Sequence, residues 1–142
     1  MSLEKIERLI PHRSLMKTID ELISFEAGGG EVKLIVDPQK PYFENAKFES
    51  LFSIELMAQS VAAVYGYSVR SQKKPRIGYL ISIDSYEMLS FEEVNAGDEL
   101  RIKVKLELNA EPIGVYQVEC SHRGRPFSKA QMKVFLTDRK II

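Results

Sequence analysis

The sequence predicts an α+β domain in which an antiparallel sheet wraps one long central helix, with a short helix at the N-terminus. Three observations predict it. Residues 48 to 67, FESLFSIELMAQSVAAVYGY, read as one helix that is apolar on most faces and so belongs in a core rather than on a surface. Beyond residue 77 no second helical period occurs, and the segments there favour strands. A single helix covers several strands only if they curl around it, so the helix and strand counts together imply the wrapping.

The elements follow in chain order. Leu3, Ile6, Leu9 and Ile10 fall at helical spacing, which predicts a short amphipathic helix over 3–10, closed by Pro11. His12 follows at once, at a chain reversal. Leu15 to Phe25 favours a first strand, and in EVKLIVD the residues Val32, Leu34 and Val36 alternate with charges to give a second. Gly28 to Gly30 make the turn between them. Residues 38–49 read as an irregular connection. The central helix is expected from an N-cap at Ser50 to about Ser71, where QKKPR breaks it. One stripe along it departs from the apolar pattern: Glu55, Gln59, Ala62, Ala63 and Gly66 are polar or small and recur every three to four residues. Such a stripe can approach another backbone closely.

Four longer strands follow in GYLISIDSYEML, DELRIKVKLELN, GVYQVECSH and FSKAQMKVFLTD. Alternation is clearest in Leu100, Ile102, Val104, Leu106 and Leu108, as expected of a sheet with one face in water. NAGD at 95–98 and RGRP at 123–126 supply turn chemistry. No repeat or linker divides the 142 residues, which read as a single domain, 1–142. An open sheet of this kind has edge strands to cover, and pairing two copies edge to edge would cover them, so a dimer is expected.

Composition narrows the function. Twenty Lys and Arg balance twenty Asp and Glu, so no net field marks a nucleic-acid binder. Cys120 is the single cysteine and His12 and His122 the only histidines, which excludes an internal disulfide and gives no zinc spacing; no metal or other cofactor is expected. MSLEKIERLIPHR lacks the apolar core of a secretion signal, and no stretch of about 18 apolar residues is present to span a bilayer, so the expected location is the cytoplasm.

Three motifs in this order resemble the hotdog-fold 3-hydroxyacyl-[acyl-carrier-protein] dehydratases, in particular the smaller branch found with aryl polyene and related lipid gene clusters. LIPHRSLMKTIDEL (9–22) resembles the N-terminal Leu-Pro-His-Arg stretch of that family, SIELMAQSVAA (53–63) its central-helix signature Glu-x-Met-Ala-Gln, and GRPFSKAQMKVFL (124–136) its closing hairpin and strand. The resemblance implies a hotdog fold and the removal of water from a 3-hydroxyacyl thioester carried by acyl carrier protein or coenzyme A. It places on Glu55 the carboxylate that faces the thioester-linked chain, with Gln59 as its polar neighbour on the substrate side. Where the family carries a Gly-His-Phe-Pro segment, the corresponding stretch here, PYFENAKFESLFSIE, resembles the family's Pro-Phe-Phe entry but is shorter and contains no histidine. His12 is then the candidate partner of Glu55, set against the plainer reading of a histidine that only fixes its loop.

The reaction needs a base for the proton beside the carbonyl, an acid for the departing hydroxyl, and donors for the charge on the thioester oxygen. Backbone N–H groups of residues 50–54, Ser53 among them, sit at a helix start suited to the last role. Phe43, Phe48 and Phe52 line an acyl tunnel on one reading and pack a core on the other. Arg70, Lys73, Lys74 and Arg76 suit an acidic carrier or phosphates, or form a solvated loop. Asp20 reads as a solvated or structural group, Cys120 as a small buried hydrophobe, and His122 as an exposed hairpin-tip residue. Two alternatives stay open: a non-catalytic hotdog subunit that binds acyl chains or stabilises a catalytic hotdog partner in a heterodimer, and a thioesterase on the same fold.

Overall fold

The structure, a computed structural model, describes residues 3–10, 13–70 and 77–137. The strands β1 (Glu4–Lys5), β2 (Glu21–Glu26), β3 (Gly29–Ile35), β4 (Phe43–Glu44) and β5 (Lys47–Phe48) precede the helix α1 (Ser53–Ser68). After it come β6 (Ile77–Met88), β7 (Glu99–Ala110), β8 (Ile113–His122) and β9 (Arg125–Thr137). Seven strands form one sheet in the order β1-β2-β3-β7-β8-β9-β6, and every neighbouring pair is antiparallel. The small β4–β5 hairpin stands apart from it.

The helix packs against β2 and β3 near one end of the sheet, β7 and β8 in its middle and β6 at the other end. One rod touches both ends of a seven-stranded sheet only when the sheet curves around it, as the single-helix argument requires. Leu56, Met57, Val61, Ala63 and Val64 are buried on α1, and Leu22, Val32, Leu34, Leu100, Ile102, Val118 and Met132 meet them from the strands. Each large aliphatic side chain buried this way contributes on the order of 1.5–3 kcal/mol. No helix among the described residues is long and apolar enough to cross a membrane.

Several expected elements differ in the structure. Residues 3–10 form no α-helix; Glu4–Lys5 pairs with Glu21 and Leu22, and only a 3-10 turn, Ile6–Arg8, follows. Eight residues cannot offset the cost of nucleating a helix, whereas the β2 edge offers ready partners. Of the expected apolar face Ile6 and Ile10 are buried and Leu9 partly so, while Leu3 is exposed. The first long strand starts at Glu21, not Leu15, because residues 14–18 bond to α1 instead: Ser14–Met16 is a 3-10 turn, and the Thr18 N–H donates to Gln59 Oε1. The hairpin turn falls on Ala27 and Gly28, both at positive φ (51° and 79°), while Gly29 and Gly30 lie within β3. A two-residue turn with positive φ at both positions matches the twist of the strands it joins.

The helix also begins and ends later and earlier than expected. Ser50–Phe52 is a 3-10 turn, with Glu49 rather than Ser50 at its cap, and α1 ends at Ser68. On β7 the alternation holds from Leu100 to Val104, but a register shift between Leu106 and Leu108 leaves Leu108 exposed.

The small-residue stripe of α1 faces the N-terminal segment. At Gly66 an added Cβ would stand 2.4 Å from the Leu9 carbonyl oxygen. Glycine costs about 1 kcal/mol relative to alanine inside a helix, and here it permits a contact no side chain allows. Gly66→Ala is therefore expected to destabilise the protein by about 1–3 kcal/mol, against the usual gain from alanine, as measured by urea unfolding.

Candidate active site

Glu55 lies in the first turn of α1 and is half-buried. Its carboxylate Oε1 accepts a hydrogen bond of 3.0 Å from Gln59 Nε2, one helical turn further on. Gln59 is 1% exposed, and its carboxamide is spent on the protein. Nε2 also donates to the Met16 carbonyl at 2.8 Å, and Oε1 accepts from the Thr18 N–H at 2.9 Å. A buried amide with this set of partners is rigid, since turning it over would set donor against donor. Gln59 thus bonds Glu55 and ties Met16 and Thr18 to the helix.

The segment that meets Gln59 is itself held from behind. Lys40 Nζ donates to the carbonyls of Ser14 (2.9 Å) and Lys17 (2.7 Å), Lys17 Nζ bonds Glu7 Oε1 at 2.8 Å, and Arg13 donates to the carbonyls of Ile10 and Glu7. Leu15 and Met16 project outward as exposed apolar side chains next to this tie, and Leu51 is exposed at the helix start. Backbone groups of Met16 and Thr18 are thus part of the site. No residue-type signal could have pointed to them, because a carbonyl or an N–H is common to every residue.

At the helix start the expected donors are partly used. The Phe52 N–H bonds the Glu49 carbonyl at 2.8 Å, and the Ser53 N–H bonds the carbonyls of Leu51 and Ser50. The 3-10 turn ahead of α1 absorbs these two amides of the expected range 50–54. Ser53, expected to touch substrate, is fully buried; its Oγ lies 2.7 Å from Tyr86 Oη and accepts from Ser128 Oγ at 3.1 Å. Phe43 and Phe52 are half-buried against the core. Phe52 stacks edge-on to Tyr42 (5.9 Å between ring centres), Tyr42 meets Phe48 (5.3 Å), and Phe48 meets Phe127 (6.3 Å). Phe48 and Phe52 thus join one packed set of rings beside the helix start. Burial pushes the Tyr42 phenol up to about 12, and its oxygen accepts the Asp37 N–H.

The remaining candidates separate cleanly. His12 lies outside the described residues, as do Lys73, Lys74 and Arg76, and Arg70 lies over the Tyr67 ring at 3.7 Å. Asp20 accepts the Ile35 N–H at 2.7 Å and so pins the strand end. Burial pushes the Cys120 thiol up to about 12, which keeps it protonated and unreactive. Among the described residues no group of three His, Cys, Asp or Glu side chains could hold a metal ion. A cavity of about 310 Å³ lined by Asp98, Glu99, Arg101, Ser121, Arg123 and Gly124 does not include Glu55.

His122 corrects the expectation of a solvent-exposed ring. It is 2% exposed, with Nε2 2.8 Å from Asp98 Oδ2, Nδ1 4.0 Å from Glu92 Oε2, and Phe127 packed edge-on against it. Sequence places it near a turn, but the 89–98 loop folds over that end of the sheet and covers it. The Asn95 N–H, and then the His122 ring, hold the Asp98 carboxyl below the usual aspartate range. A carboxyl lowered on folding contributes stability above the unfolded value of about 3.9, and that stability is lost as pH falls through the folded value. Asp98→Ala is expected to cost about 1–3 kcal/mol at neutral pH, since it strands a buried imidazole, and to flatten the acid limb of a plot of Tm against pH.

A sheet curled around one helix that presents a carboxylate near its start defines a hotdog domain of the dehydratase type. The chain belongs to the ApeP-like family, described as ApeP dehydratase, which it matches over residues 4–141. It is 27% identical over 145 residues to the 3-hydroxyacyl-[acyl-carrier-protein] dehydratase FabZ of Chloroflexus aggregans, with 97% of each chain covered. The corresponding enzyme of Bacillus thuringiensis is 22% identical over 144 residues, with 99% of each covered. Among solved structures, a chain of the dehydratase heterocomplex ApeI:P from Xenorhabdus doucetiae superposes with a TM-score of 0.82 at 20% identity, covering 93% of this chain and 90% of that one. A hypothetical thioesterase from Streptococcus pneumoniae, with coenzyme A, shares the fold at a TM-score of 0.62 and 21% identity, covering 82% and 84%.

Proposed function

We propose that this chain removes water from 3-hydroxyacyl thioesters carried on the phosphopantetheine arm of an acyl carrier protein or of coenzyme A, with Glu55 as the group that moves the proton. A base takes a proton from C2, the C3–O bond breaks, and an acid delivers a proton to the departing hydroxyl, leaving a trans-2-enoyl thioester and one water. The observation that carries the reading is the held carboxylate: Glu55 is fixed by Gln59, which is fixed in turn by Met16 and Thr18. A proton-transfer group needs a set direction, and this one has it. The exposed Leu15, Met16 and Leu51 suit an acyl chain laid along the same side. His12 is the proposed partner of Glu55.

Incubation of the purified protein with a 3-hydroxyacyl thioester, followed by mass spectrometry, is expected to reveal loss of water. Glu55→Gln is expected to lower the rate about 10²–10⁴-fold, and His12→Ala to a similar extent. Full activity in the Glu55 variant sinks its role; release of free thiol without an enoyl product points to hydrolysis instead.

A second reading has its own support. The connection between β3 and α1 contains no histidine, and the ApeI:P structure, to which this chain is similar, is a heterocomplex. On that reading a hotdog partner supplies the missing acid or base, and this chain turns over only when paired. The edge for pairing is β6, which among the described residues has only β9 beside it and exposes Leu80, Ile81 and Ile83. Replacing both Ile81 and Ile83 with Lys is expected to shift a dimer, homomeric or mixed, to monomers in sedimentation; a dimer that persists places the interface elsewhere.

A further inference from the structure

The helix carrying Glu55 is anchored at its middle by Gln59 and near its end by the Gly66–Leu9 contact, but its first turn has no side-chain cap. Something else must hold that turn. Ser53, the residue type most suited to capping, turns its hydroxyl into the protein, where Tyr86 from β6 and Ser128 from β9 meet it. Because Ser53 Oγ accepts from Ser128, its own hydrogen is available for Tyr86 Oη. Tyr86 in turn donates to Met88 Sδ (2.9 Å) and lies 3.5 Å from the Ser50 carbonyl. All three hydroxyl hydrogens then have acceptors, in one chain running from β9 through the helix start to β6.

Tyr86 reaches that point because β6 is irregular. Asp84 pairs with Gln131 and Glu87 with Lys129, so Ser85 and Tyr86 oppose the single residue Ala130. Ser85 takes φ 57°, and the strand bulges there. A bulge re-aims side chains, and this one turns a phenol on an edge strand toward the start of α1.

The geometry joins this cluster to the candidate site. Two residues along an α-helix is a rotation of roughly 200°, so Ser53 and Glu55 leave the helix on opposite sides. With Ser53 held against the strands, Glu55 faces the segment of Met16 and Thr18 where Gln59 receives it. Rotation of the first turn would swing the carboxylate away from that bond.

We infer that Tyr86 is a positioning residue for Glu55: its hydroxyl, aimed by the bulge at Ser85, sets the rotation of the first turn of α1 through Ser53. The inference rests on the dehydratase reading for its kinetic consequence, while its structural consequence stands apart from it.

Tyr86→Phe keeps the ring and removes only the hydroxyl. It is expected to lower kcat on a 3-hydroxyacyl thioester roughly tenfold with KM changed less than about twofold, because binding is kept and alignment is lost. In the same variant the carboxyl ¹³C resonance of Glu55, followed by NMR through a pH titration, is expected to change in midpoint. Ser53→Ala should reproduce both effects, and the double variant should add little, since the Ser53–Tyr86 bond is lost in either single variant. A Glu55 titration and a kcat both equal to wild type in Tyr86→Phe overturn the inference and leave the dehydratase reading intact. If the wild-type chain shows no turnover, that reading fails as stated for the chain alone, and the carboxyl titration decides the role of Tyr86. Should Tyr86→Phe fail to fold, Ser53→Ala with an unmoved Glu55 titration overturns the inference equally.

Discussion

The buried carboxamide of Gln59 is the constraint around which the rest of the site is arranged. An amide taken out of water costs several kcal/mol unless its donors and acceptor find partners, and this one finds Thr18, Met16 and Glu55 together. Those bonds require the N-terminal segment to lie against the helix, which Gly66 allows by offering no side chain to Leu9. They also explain why residues 14–18 leave the strand pattern. A backbone N–H that bonds a helix side chain is lost to the neighbouring strand.

The two ends of the helix's first turn face different chemistries. On the strand side, Ser53, Tyr86 and Ser128 form a buried hydroxyl chain beside a packed set of rings from Tyr42 to Phe127. On the other side, Glu55 meets a segment with exposed apolar residues and a backbone held by Lys40 and Arg13. Rigid packing behind and a shaped, partly apolar face in front is the division expected where one carboxylate must keep its direction while a long flexible substrate is admitted. Further along the sheet, the buried His122 bonds the partly exposed Asp98 at the end that the 89–98 loop covers.

Much of this was legible in the residues. The apolar run of α1, the alternation in β7 and the turn chemistry at Asn95–Asp98 and Arg123–Gly124 are local signals, and each element is present. The polar and small stripe was legible as a face, though not as a contact with residues 9–18. The failures share a cause. The N-terminal helix, the start of the first strand and the burial of His122 all depended on partners more than ten residues away, and the bonds that Ser53 and Gln59 make across the fold reach as far. Helical spacing in 3–10 picked out Ile6 and Ile10, which are buried, but also Leu3, which is exposed, because an edge strand competed for the same backbone.

By itself, then, the sequence determined the secondary structure of the long elements, the wrapped topology that one helix and many strands imply, and the face of α1 on which Glu55 stands. These follow from periodicity and composition, which act over a few neighbouring residues. Only the tertiary structure decided that Gln59 is a strut, that Ser53 faces the strands, that Tyr86 reaches the helix through a bulge, and that His122 is enclosed. Each of those depends on which distant backbone or hydroxyl satisfies a buried polar group, and that pairing exists only once the sheet has closed on the helix.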